Sequence, residues 1–184
     1  MRSVNRYAWA DTAYDLSWTL AVIQGRTEDE VRAAYGADQA VGTLMTFEQA
    51  NEDRNDHLDE YGLVQLKSQG GVLVAIEPNG WVGNAPEVAR KLSSPEGYFF
   101  SVYWSVNGHQ LVQATDGQIT GSFDPTFIGL PAGANDVLPG WVGDDDFTLE
   151  HVRSDSLAAV ERRTGVAFDP AWLGEPLPTY RIPS

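Results

Sequence analysis

The sequence predicts an α+β domain: one mostly antiparallel sheet of five to seven strands, with three or four short helices on one face. Three observations lead there. Residues 98–106 alternate as a strand, two tight hairpin signals follow back to back (Asn107-Gly108 and Asp116-Gly117), and capped helix starts are interspersed with the strand patterns.

Each element has a local cause. Residues 16–23 put Leu16, Trp18, Leu20 and Val22 on one face, an alternation rich in β-branched and aromatic residues that marks a strand. Gly25 interrupts it. Thr27 to Glu30 reads as a capping box, in which hydroxyl and carboxylate satisfy donors otherwise orphaned at a helix start; this helix runs through Tyr35 to Gly36. Thr46 caps a second helix to about Asn55, and residues 48–60 hold the acids Glu48, Glu52, Asp53, Asp56, Asp59 and Glu60 against the single base Arg54.

Two apolar runs, 61–67 and 72–76, are joined by Ser68-Gln69-Gly70-Gly71 and read as a hairpin. Pro78-Asn79-Gly80 makes a turn, after which Trp81 and Val82 begin a short returning strand. Pro86 suits the first turn of a third helix over 85–92. Residues 98–106 carry aromatics on both faces, which places that strand in the middle of the sheet; 109–115 and 118–123 complete a three-stranded meander.

From 124 to about 147 the periodicity dissolves into Gly, Pro, Ala and Asp, a long acidic loop expected at the surface. Ser154 or Asp155 caps a further helix over 157–164, closed by Gly165. Residues 166–184 contain four of the ten prolines and are expected to lie extended over the domain. No repeat or linker divides the chain, so 1–184 reads as one domain.

Charge narrows the function classes. Twenty-six acids against twelve bases give a net charge of −14, which excludes nucleic-acid binding of the ordinary basic kind and docking on anionic membranes. Without cysteine there is no disulfide, thiolate–zinc site or thiol nucleophile. No apolar run approaches the roughly 20 residues of a membrane span, and residues 16–23, with Ser17 and Thr19 inside, do not form a secretory core. A cytoplasmic location is expected.

Catalytic and metal motifs fail one after another. There is no G-x-G-x-x-G, no Gly-Lys pair for a P-loop and no G-x-S-x-G elbow. His57, His109 and His151 are scattered. Residues 53–58 imitate the start of a calcium loop, but His57 and Leu58 stand where an oxygen ligand and the turn glycine belong, and Asp144-Asp145-Asp146 fails the same test. No catalytic residue, metal site or cofactor is assigned.

One pattern remains. No Lys or Arg occurs between Lys91 and Arg153, while the same interval holds Glu96, Asp116, Asp124, Asp136, Asp144, Asp145, Asp146 and Glu150. Such a region steers a cationic partner. Trp18 and Trp104 lie in strand patterns and belong to the core, whereas Trp81 follows a turn and Trp141 lies between Pro139-Gly140 and the Asp triplet. A loop tryptophan beside acids is the kind of residue that anchors an interface. The candidate partner-binding residues are therefore Trp141 as anchor, Asp144, Asp145 and Asp146 as steering charges, and Trp81.

The order of motifs also carries a resemblance. Y-A-W-A-D and S-W-T-L-A-V-I-Q-G-R-T-E-D-E-V stand near the start and V-A-I-E-P-N-G-W-V-G-N in the middle. D-G-Q-I-T-G-S-F-D-P and E-R-R-T-G-V follow. This layout resembles a bacterial family, common in actinomycetes, that is known as a domain of unknown function, and the resemblance covers nearly the whole chain. It implies no activity. The positions it highlights (Gly25, Glu77, Asn79, Gly80, Trp81, Asp124 and Pro125) are largely turn and strand-end residues.

The function expected is that of a non-catalytic acidic binding protein that neutralises or regulates a basic protein, of the immunity-protein or antitoxin type. A DNA mimic uses the same charge. The alternative from another class is a hydrolase using paired carboxylates in a cleft lined by Trp81 and Trp141.

Overall fold

The computed structural model describes residues 4–13, 16–106, 108–128, 136–143 and 146–183. Their elements run α1 (Val4–Thr12), β1 (Trp18–Gln24), α2 (Glu28–Tyr35), β2 (Thr43–Met45), α3 (Phe47–Asp56), β3 (Gly62–Gln69) and β4 (Val72–Pro78). After a 3-10 turn (Val82–Asn84) come α4 (Pro86–Ser93), β5 (Tyr98–Ser105), β6 (Gly108–Thr115), β7 (Gln118–Phe123), α5 (Val152–Thr164) and β8 (Leu177–Ile182). The eight strands form one antiparallel sheet in the order β2-β8-β3-β4-β1-β5-β6-β7. The fold is α+β, with one more strand and one more helix than the largest counts the sequence suggests.

β1 is central and buried on both faces, and its side-chain parity separates two cores. Trp18, Leu20 and Val22 point into one, shared with Phe100, Val102 and Trp104 of β5 and covered by α1, α3 and α5 through Tyr7, Phe47 and Leu157. Ala21 and Ile23 point into the other, covered by α2 and α4 through Val31, Tyr35, Val88 and Leu92. Helices therefore lie on both faces rather than one. The central strands are apolar on both sides, and each side needs its own cover.

The predicted capping box forms at Thr27–Glu30, and the predicted cap Thr46 turns out to be a box as well, with Gln49 supplying the reciprocal bond. The hairpins also form, with β5 in the interior of the sheet.

Besides β2, which no strand pattern announced, further elements differ from expectation. α1 had no cap to announce it; tertiary contacts hold it, with Tyr7 Oη donating to Glu161 at 2.8 Å. α5 begins at Val152, and neither Ser154 nor Asp155 is its N-cap: Asp11 of α1 accepts from Ser154 N (3.0 Å) and Ser154 Oγ (2.7 Å) and so caps it from outside. The C-terminal segment is a strand rather than a loose wrap, since β8 inserts between β2 and β3. Pro178 is accommodated because the pairing with β3 ends at Thr179. In the acidic loop, Pro125–Phe127 forms a 3-10 turn and Val137 bridges to Ser122 of β7.

Candidate functional site

The turn after β4 is where sequence motif and structure coincide. Glu77 lies opposite Thr19 in the ladder, on the α2/α4 side, and is completely buried. Beyond it Asn79 takes φ 45°, a left-handed conformation that Asn tolerates. The reversal is pinned by four bonds: Asn79 N to Ser17 O (2.8 Å), Thr19 Oγ1 to Gly80 O (2.7 Å), Val82 N to Glu77 Oε2 (2.9 Å) and Gly83 N to Glu77 Oε1 (2.6 Å). Ser101 Oγ adds a bond to Asn84 Oδ1 at 2.9 Å. The predicted return strand at Trp81–Val82 does not form, because the Glu77 carboxyl draws both backbone N–H groups inward and winds Val82–Asn84 into a 3-10 turn.

Burial dominates the electrostatics here. Desolvation pushes the Glu77 carboxyl up to about 8, against the two backbone donors, which pull it down. Tyr35 Oη is buried without a hydrogen-bond partner, and desolvation and then Glu77 raise its pKa well above the usual tyrosine value. Gly83 separates the two groups. A Cβ there would lie 2.1 Å from Tyr35 Oη and 2.5 Å from Glu77 Oε1, so only glycine fits.

The outcome of this buried construction is an exposed indole. Trp81 keeps 64 % of its surface in solvent. Asn79 Nδ2 donates to Asn55 Oδ1 at 3.1 Å, tying the turn to the end of α3. That helix and the turn after it present Glu48, Glu52, Asp56, Asp59 and Glu60 to solvent, with Leu58 also exposed.

Trp141 has a different environment from the one expected. It is half-buried, and its Nε1–H donates to Gln113 at 2.8 Å. Its ring packs beside Phe100, Phe123 and Phe147, and the Arg163 guanidinium lies 5.3 Å above it. It closes the edge of the α1/α5 core rather than standing free as an anchor. Asp146 accepts from Gly143 N at 2.7 Å and lies 3.7 Å from Arg162. Asp144 and Asp145 lie outside the described residues.

α5 thus brings one cation to an acid of the base-free interval, Arg162 to Asp146, and a second, Arg163, to the Trp141 ring. Trp81 leads into Val82, which packs against the α2/α4 core, whereas Trp141 packs against the α1/α5 core on the other face of the sheet.

The histidines are dispersed. His57 stacks on Tyr61, His151 faces Asp11 at 3.2 Å, and His109 is half-buried at the start of β6, with its pKa lowered by burial and then by Arg153. Among the described residues no group of His, Asp and Glu is arranged to hold a metal ion. None of the described helices is long and apolar enough to cross a membrane. Sequence reading missed Tyr35, whose helical spacing signals only core, and the role of Glu77, which was visible as an acid inside an apolar strand.

Fold and site together define an acidic α+β protein with an eight-stranded antiparallel sheet and an indole presented on a glutamate-pinned turn. The chain belongs to a family of unknown function, DUF6461, which matches residues 1–175. No curated protein and no solved structure matches it.

Proposed function

We propose that this protein is a non-catalytic acidic binding protein, of the immunity-protein or antitoxin type, that neutralises or regulates a basic protein in the cytoplasm. The observation that carries the reading is Trp81: a large aromatic side chain held in water by a pinned turn, which Asn79 ties to the end of α3, a helix whose exposed side chains include Glu48, Glu52 and Asp56. A preorganised indole supplies contact area at little entropic cost, and the chain's excess of carboxylates raises the rate of encounter with a cationic surface. The net charge of −14 favours a basic partner over nucleic acid or an anionic membrane. The 136–150 loop adds the charges of Asp144 and Asp145, while Asp146 faces Arg162.

Testing begins with the products of adjacent genes, each titrated against the purified chain. A basic product that binds, and binds at least about tenfold more weakly to Trp81→Ala, supports the reading. If none binds at about 10 µM, the reading fails. Competition between that partner and DNA would instead assign the DNA-mimic class.

A second reading, a carboxylate-dependent hydrolase, is favoured by Glu77 alone, since a carboxyl held near 8 is a proton donor at neutral pH. It requires the turn to open, because Glu77 is sealed from solvent. Hydrolysis of a glycosidic or ester substrate that disappears in Glu77→Gln would establish it.

A further inference from the structure

On another flank of α3, the strap of residues 39–42 before β2, the strands β2, β8 and β3, and α3 itself line a cavity of about 230 Å³. Asp53 and Arg181 line it together with Val41, Met45 and Leu63. That volume is below the ~300–1,000 Å³ of drug-sized sites, so only a small metabolite fits. The strap is held in place where Gln39 Oε1 accepts the backbone N–H of Arg181 at 2.8 Å.

The two charges in this cavity are separately fixed and do not neutralise each other. The Arg181 guanidinium lies 4.2 Å above the Tyr61 ring, and among the described residues it meets no carboxylate. Stacking of this kind orients the guanidinium while its N–H edge stays available. Asp53 is set by Tyr61 Oη, which donates to its Oδ1 at 3.1 Å; His57 Nδ1 lies 3.3 Å from the same oxygen but closer, at 2.8 Å, to the Asp53 backbone carbonyl. Tyr61 therefore positions both charges. Arg181 is exposed, so an anionic group reaches its N–H edge from solvent.

The neighbouring charges select the ligand. A phosphate dianion would face Asp53, and a bare cation would face Arg181. A molecule with one charge of each sign satisfies both. We propose that this cavity binds a free α-amino acid with an apolar side chain: its carboxylate on Arg181, its ammonium on Asp53, and its side chain against Val41, Met45 and Leu63.

The test is calorimetric titration of the whole chain with L-leucine, L-leucine amide and N-acetyl-L-leucine. Leucine should bind, and the amide and the acetyl derivative should each bind at least about tenfold more weakly, because each lacks one charge. Arg181→Gln and Asp53→Asn should each lose a similar factor. Asp53→Asn also alters the contact with Tyr61, so Val41→Trp provides a second variant. Val41 is exposed at the cavity mouth, and a bulky residue there should block binding with the Tm unchanged. No heat from leucine up to about 10 mM, or equal binding of N-acetyl-leucine, would overturn the proposal. Either result is independent of the Trp81 reading, whose partner assay uses a different surface.

Discussion

Glu77 Oε1 accepts the backbone N–H of Gly83 at 2.6 Å, in a position where nothing larger than glycine could stand. The two residues are six apart, and the carboxyl between them replaces the ladder partner that a returning strand would have supplied. Because the acid is wholly buried, the exposed Trp81 turn is coupled to the protonation of Glu77.

That coupling gives stability a defined pH dependence. The folded carboxyl sits near 8 and the ordinary value is 4.5, so the native state keeps its proton longer than the unfolded chain. The Glu77 contribution is therefore fully present below 4.5 and is lost as pH rises through 8, at up to roughly 1.4 kcal/mol per pH unit in between. Denaturant unfolding of the wild type and Glu77→Gln from pH 5 to 8 measures it. The wild type should show the downward slope and the variant should lack it.

Gly83→Ala should destabilise the fold by about 2–3 kcal/mol, since its Cβ would overlap both Tyr35 Oη and Glu77 Oε1. Gly108→Ala, which meets nothing within 4 Å, is the matched control and should stay within about 0.5 kcal/mol of wild type. Urea midpoints compare them directly.

Tyr35→Phe removes a buried hydroxyl that has no hydrogen-bond partner, so it should be neutral or stabilising by up to about 1 kcal/mol. A thermal melt showing a large loss instead would mean that the hydroxyl bonds to protonated Glu77.

The two loop tryptophans should separate cleanly. Trp141→Ala removes a ring packed among Phe100, Phe123 and Phe147 and should cost about 2–3 kcal/mol in a denaturant titration. Trp81→Ala removes an exposed ring and should change stability by less than about 0.5 kcal/mol. Reversed magnitudes would exchange their assignments.

Asp11→Ala should cost about 1–2 kcal/mol, because it leaves the first turn of α5 without its external cap. The helix-sensitive circular dichroism melt reads this.

Local chemistry alone announced much of this protein. The Thr27 box, the Thr46 cap, the 68–71 and 116–117 turns and the alternation along 98–106 are read over a few neighbouring residues. These signals act through backbone donors and side-chain parity, which do not depend on distant contacts. Tertiary packing decided the rest. α1 exists because Tyr7 reaches Glu161 and Asp11 reaches Ser154; β8 exists because β2 and β3 leave it a place between them. Arg162 reaches Asp146 in an interval that looks uncompensated in one dimension, and Arg163 lies over the ring of Trp141, which turns inward. Trp81 and Trp141 looked equivalent as loop residues, and only the fold around each could separate them. Burial and charge pairing are sums over neighbours in space, and in this chain those neighbours lie up to 155 residues apart.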